Sequence, residues 1–389
     1  MRAFLALLLL LAGTAAAVDT AGLTLADDSE SRWVPFTLTA GNQIRFAAMI
    51  DGNAVEAVLD TGASHSMLTE SFAERSGRRV ARRGQVSAIG GTVPLGWTIV
   101  NSIAFGGLER RSGGLNVVRL PGAVTGNGVA IDLLVGRDLL ERFALDIDYA
   151  GRRFRLLRSG RMPFTGTRAP LAAGRTQLAL VTELNIAGRR VRPIIVDTGD
   201  GTALTLSREV WRTLPLAPAP VMTTQLAYGV GGAVEAEVAT LPSIAIGERR
   251  VADVGVWVER SGGFSDLSQS AGRIGSGFLQ RYRVLLDPSA GHMILADAAG
   301  AVAPGRSTSG LQLALTGDRL RVLHVMRGSP AEAGGWRVDE RICAVDGVTI
   351  ASDRAAAARA TWPFGVPGTT LRLTLCDGLT RSLTLRTFY

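Results

Sequence analysis

Two short segments concentrate the chemistry of this chain. Asp60-Thr61-Gly62 follows the apolar run Ala57-Val58-Leu59, and Asp197-Thr198-Gly199 follows Ile194-Ile195-Val196, 137 positions later. An ionised carboxylate resists burial behind apolar residues. Two such Asp at equivalent places of a repeat therefore predict that pseudo-symmetry brings them together. Adjacent carboxylates do not both ionise easily, so the pair shares a proton over a wide pH range. The charged member then takes a proton from a water, and the neutral member gives one to a carbonyl. Thr61 and Thr198 are expected to hydrogen-bond across the pair. Gly62 and Gly199 let the backbone turn tightly under the carboxylates.

Composition removes most rival chemistries. All 42 basic residues are Arg, so a P-loop, a Schiff base and a Ser–Lys nucleophile are excluded. The three His (His65, His292, His324) and two Cys (Cys343, Cys376) are scattered, which argues against a zinc site. No metal or organic cofactor is expected. The net charge of +8 comes from Arg pairs dispersed among acids, such as Arg78-Arg79 and Arg152-Arg153, so no nucleic-acid partner is expected. His65 reads as a surface or hydrogen-bonded side chain, and His292 and His324 as structural. Cys343 and Cys376 either pair in an oxidising compartment or remain buried thiols.

The elements that must position the two Asp recur with them. Ile89-Gly90-Gly91 returns as Val230-Gly231-Gly232, and the segment around Gly136 returns around Gly275, at offsets of 141 and 139 residues. With 47 Gly and 6% aromatic residues, the composition favours a Gly-turned β protein. Strands are predicted over Trp33 to Leu38, Ile44 to Ile50, Ala54 to Leu59, Leu178 to Ile186 and Val191 to Val196. Pro193 suggests an edge or a bulge. Thr69 and Ser207 cap short helices, over Glu70 to Arg75 and Arg208 to Leu214. A basic start, an apolar run from Phe4 to Leu11 and Ala15-Ala16-Ala17 predict a secretory leader cleaved after Ala17. That run is too short for a membrane span. The mature protein is expected to be soluble, exported, periplasmic or secreted, and bacterial.

At the Asp-Thr-Gly motifs the chain resembles aspartic proteases of the retropepsin and pepsin group. The resemblance covers roughly Trp33 to Leu295. It implies a mainly β fold of two pseudo-symmetric retropepsin-like lobes, arranged as in pepsin. Asp60 and Asp197 would be the catalytic pair, braced by Thr61, Gly62, Thr198 and Gly199. Flaps would run from Gln85 to Trp97 and from Gln225 to Ala236. Ile89, Gly90, Gly91, Gly231 and Gly232 would form their substrate-facing parts, and Tyr228 would offer a hydroxyl. One departure follows the motifs: the first copy has Ala63, the second Asp200. Asp200 either raises the apparent pKa of the pair by repulsion or points to solvent on a looser turn. The first option implies a less acidic optimum than in pepsin-like enzymes.

The tail resembles a bacterial PDZ domain, on Gly328-Ser329-Pro330-Ala331-Glu332-Ala333-Gly334 and Arg341 to Gly347. Gly310, Leu311, Gln312 and Leu313 would then present backbone amides to a peptide C-terminus added as a strand. Val338-Asp339-Glu340 departs from the usual Gly-Asp turn. The expected organisation is a leader (1–17), a flexible segment (18–32), lobe 1 (33–160), lobe 2 (161–297), a linker (298–308) and a PDZ domain (309–389). The expected protein is a monomeric endopeptidase with polypeptide substrates, whose PDZ domain recruits a substrate tail or regulates access. The rival expectation is a scaffold with an inactive pair that binds peptides through its PDZ domain.

Overall fold

The structure, a computed structural model, describes residues 22–120, 130–174, 179–298, 305–350 and 361–389. The leader and its cleavage position lie outside the described residues, as does most of the linker.

Each lobe repeats one strand arrangement around its Asp. In lobe 1, Asn53–Leu59 pairs in parallel with Leu133–Val135, which pairs antiparallel with Met67–Thr69. In lobe 2, Arg189–Asp197 pairs in parallel with Gly272–Gly275, which pairs antiparallel with Leu204–Leu206. The segments that lead into each Asp, Ala57 to Leu59 and Ile194 to Val196, are buried on both faces, which explains their continuous apolar runs. Each Asp stands where a buried strand ends. Thr69 accepts a hydrogen bond from Phe72 N–H and starts helix Glu70–Arg75, and Ser207 does the same with Val210 for Arg208–Thr213.

The lobes join through a shared sheet. Strand Phe143–Asp148 of lobe 1 pairs antiparallel with Tyr282–Asp287 of lobe 2. The register sets Asp146 opposite Leu285, with Leu145 opposite Leu286 and Ile147 opposite Val284. Asp146 and Leu285 are 139 positions apart, the same offset as Gly136 and Gly275. Equivalent residues of the two copies thus face each other, and the pseudo-twofold passes through this pair. One continuous apolar core, from Val34 to Leu295, fills both lobes.

Several expectations shift. Pro193 lies in a central strand, not an edge. The neighbouring ladder changes register between Thr182 and Leu184, so the residue sits at a bulge. Residues 22–32, expected as flexible, are built onto lobe 1. Leu23–Leu25 pairs with Leu108–Arg111, Arg158 donates to Asp27 and Arg155 donates to the Glu30 carbonyl. Ser307 and Thr308, expected in the linker, are buried in the C-terminal module and bond to the Pro363 carbonyl.

That module has its own core, in which Leu311, Val322, Trp336, Ile342, Trp362 and Leu373 meet. Its sheet runs from the edge strand Leu311–Thr316 to Thr380–Thr384. Cys343 and Cys376 are joined in a disulfide, which settles the open choice between a bond and two thiols. A cross-link over a loop of 33 residues stabilises by about 3–4 kcal/mol in the chain-entropy treatment. Cys343→Ser/Cys376→Ser is therefore expected to lower the unfolding free energy of the module by about that amount. The lobes, with a separate core, should keep their transition. Urea unfolding of the full chain measures both.

Candidate active site

The turns after the two buried strands meet at the lobe junction. Thr61 N–H donates to Thr198 Oγ1 at 3.0 Å, and Thr198 N–H donates to Thr61 Oγ1 at 3.0 Å. Each hydroxyl then donates across the junction to the strand below the other Asp: Thr61 Oγ1 to Val196 O at 2.7 Å, Thr198 Oγ1 to Leu59 O at 2.8 Å. Both Thr are buried, so these four bonds are exchanged away from water.

The glycines explain how two carboxylates fit there. A Cβ on Gly62 would stand 2.5 Å from both carboxylate oxygens of Asp197, and one on Gly199 would stand 2.6 and 2.7 Å from those of Asp60. Each Gly therefore floors the opposite lobe's carboxylate. Asp60 Oδ1 accepts from Gly62 N–H and Ala63 N–H at 3.1 and 2.9 Å. Asp197 Oδ1 accepts from Gly199 N–H and Asp200 N–H at 2.9 and 3.1 Å. Burial is the main force that holds both acids above the ordinary carboxylate range. For Asp197 the charges of Asp60 and Asp200 add to it, and Arg273 partly opposes them.

Of the two alternatives for Asp200, the solvent-facing one falls, while its charge does act to raise the pair. The residue is buried, not solvated, and its charge does not stand alone. Arg273 Nε donates to its carboxylate, and Arg273 Nη1 donates to Glu259 at 2.5 Å. Arg273 and Glu259 were not singled out from the sequence. The signal was present: Arg273 stands where the first copy has Leu134. Two other residues also went unrecognised. Ser276 Oγ donates to Thr198 O at 2.9 Å, and the buried Tyr149 hydroxyl lies 3.3 Å from Ser276 Oγ. This ties the lobe 1 end of the shared sheet to the lobe 2 turn.

Both flap candidates are hairpins, Ala81–Ala88 with Gly91–Ile99 and Thr223–Gly229 with Gly232–Ile246. Their tips touch: Gly231 N–H donates to Ile89 O at 2.9 Å, and Gly90 abuts the backbone of Gly232. Tyr228 is half-buried on the second hairpin, opposite Ala233. Among the described residues no group of His, Cys, Asp and Glu is arranged to hold a metal. His292 is buried against Arg168, and His324 is buried with Nε2 at 2.8 Å from Thr224 Oγ1.

The C-terminal module reaches this flap. Gln312 Oε1 accepts from Leu226 N–H at 2.6 Å, and Gln312 Nε2 donates to Leu226 O at 3.1 Å. Thr223 Oγ1 donates to Arg327 O at 2.7 Å, and Arg327 pairs with Glu237 at 2.8 Å. The expected carboxylate loop is arranged differently from its reading. Gly310 N–H and Leu311 N–H donate to Ser307 and Ser309 hydroxyls at 3.0 Å each, so these amides are satisfied within the module.

An Asp whose folded pKa is raised stabilises the fold most below its unfolded pKa of about 3.9 and loses that contribution as pH rises through the folded value. Asp197→Asn removes the titration. It is expected to raise the melting temperature at neutral pH and to leave it nearly unchanged below about pH 3. Thermal unfolding of both proteins from pH 2 to 8 checks the crossover.

Comparison with known proteins yields the same two segments. The aspartyl protease family model matches residues 46–139 and 182–278, once per lobe. A retropepsin-like aspartic protease from Rickettsia conorii is similar at 20% identity, over 34% of this chain and 92% of that one, with a TM-score of 0.25. No curated protein matches. Each lobe is thus similar in sequence to the aspartyl protease family, and the two matched segments contain Asp60-Thr61-Gly62 and Asp197-Thr198-Gly199.

Proposed function

We propose that the protein is an exported aspartic endopeptidase acting as a monomer on polypeptides. The observation that carries this reading is the reciprocal floor at the junction, with each carboxylate seated on the other lobe's Gly. One chain supplies both halves, so no second copy is needed to complete the pair. In the proposed reaction the water oxygen attacks the peptide carbonyl carbon while its proton passes to the ionised Asp60. The protonated Asp197 gives its proton to the carbonyl oxygen, forming a gem-diol. The Asp60 proton then goes to the amide nitrogen, the C–N bond breaks, and the gem-diol returns its hydroxyl proton to Asp197. Burial raises both acids, so the pair shares one proton, and the steps are written for the arrangement in which Asp197 carries it. Closure of the touching hairpins would limit water access. Neither nucleic acid nor a cofactor enters this scheme. The disulfide supports an oxidising compartment and hence export. Among the described residues no helix is long and apolar enough to cross a membrane.

For the C-terminal module, read as a PDZ domain, the contacts on the second hairpin favour regulation over recruitment of a tail. Capture of a peptide C-terminus would require Ser307 and Ser309 to release the Gly310 and Leu311 amides.

Incubation with an unfolded protein from acid to neutral pH tests the catalytic reading. Cleavage is expected in the wild type and should fall by about 10²- to 10⁴-fold in both Asp60→Asn and Asp197→Asn. Equal cleavage in all three, or none in any with peptide binding retained, would favour the scaffold. The role of the module has a separate readout. Gln312→Ala removes both bonds to Leu226, so amide exchange across Thr223–Gly229 should quicken by about five- to tenfold. Unchanged exchange would detach the module from the flap.

A further inference from the structure

Asp200, Arg273 and Glu259 form a buried charged cluster that the water-activation steps do not use. The side chains of Arg273 and Asp200 are each 6% exposed and that of Glu259 10%. The cluster begins at the pair itself, since Asp200 N–H donates to Asp197. One Asp200 oxygen accepts from Thr202 N–H at 2.8 Å, and the other accepts from Arg273 Nε. Beyond Arg273, Glu259 accepts from Ser265 N–H at 2.8 Å, and the Phe264 ring covers the guanidinium at 5.7 Å. Each Asp200 oxygen is thus engaged by a donor other than the catalytic pair.

The repeat makes the asymmetry explicit. Ala63 and Leu134 hold the equivalent places in lobe 1, both uncharged. Among the described residues, the charges that bear most on each acid come from its partner and from lobe 2. Asp60 comes from the end of Asn53–Leu59, and Asp200 from the turn after Arg189–Asp197. Arg273 comes from Gly272–Gly275, and Glu259 sits behind it, after Arg249–Val258. Two acids and one base leave one net negative charge on the lobe 2 side.

We propose that Arg273 is a positioning residue for the Asp60–Asp197 pair, holding the Asp200 carboxylate in an ion pair with Glu259 behind it and offsetting its charge. This rests on the reading of the two Asp as the catalytic pair. With Arg273 in place, lobe 2 tolerates an extra acid three residues after Asp197. Asp200 and Arg273 act on the pair with opposite sign, and Arg273 acts partly through Asp200.

Three variants test this: Asp200→Asn, Arg273→Met, and Asp200→Ala/Arg273→Leu, which installs the lobe 1 residues. The measurements are the pH profile of kcat/KM and an infrared titration of the carboxyl band, taken as a difference against Asp197→Asn. Asp200→Asn should move the titration of the pair down by about one pH unit, and Arg273→Met should move it up by a similar amount. The double variant should return close to the wild type. A purely structural role would lower stability without opposed shifts. Shifts in the same direction, or none in folded variants, overturn the proposal. If Arg273→Met does not fold, Asp200→Asn decides alone, and an unshifted titration overturns the proposal. The infrared band reports on the pair whether or not the protein cleaves, so a wild type without cleavage sinks the catalytic reading and leaves this inference separately decided.

Discussion

The exchange of hydrogen bonds between Thr61 and Thr198 joins the two lobes at the point where their acids would otherwise push apart. Two carboxylates confined to a poorly hydrated junction repel when both are charged, and a lone buried charge is costly. The Thr pair ties each turn to the strand beneath the other, through Leu59 and Val196. The Gly floors remove the side chains that would keep the carboxylates apart. The shared sheet supplies the rest, because it pairs equivalent residues around Asp146 and Leu285 and so fixes where the pseudo-twofold runs.

Much of this was legible because the repeat was. Periodicity placed the strands within a residue or two, and Thr69 and Ser207 marked both helix starts by a local capping rule. The reciprocal bonding of Thr61 and Thr198 follows from symmetry alone. What the sequence concealed depends on distant residues. The partner of Asp200 lies 73 positions away, and Tyr149 reaches Ser276 from 127 positions away. No periodicity links such pairs. The occupation of the Gly310 and Leu311 amides has a local reason, since the competing serine hydroxyls lie just before them.

The two lobes share one strand arrangement around their Asp and differ in charge there. Lobe 1 presents Ala63 and Leu134 where lobe 2 presents Asp200 and Arg273. Among the described residues the module bonds to lobe 2, at Leu226 on the outer edge of its flap. Electrostatic divergence and the added contact therefore fall on the same half.

That divergence depends on the lobes sharing a chain. If the same halves met as separate molecules, the junction would form only above a threshold concentration and would disperse on dilution. Joined covalently, they meet at an effective concentration set by the connection, however dilute the protein becomes. Identical subunits would also have to carry every substitution twice, once on each side of the axis. Here a change can be made on one side alone, and the Asp146–Leu285 register still brings the halves together. The strand pairing at the axis thus separates assembly from specialisation.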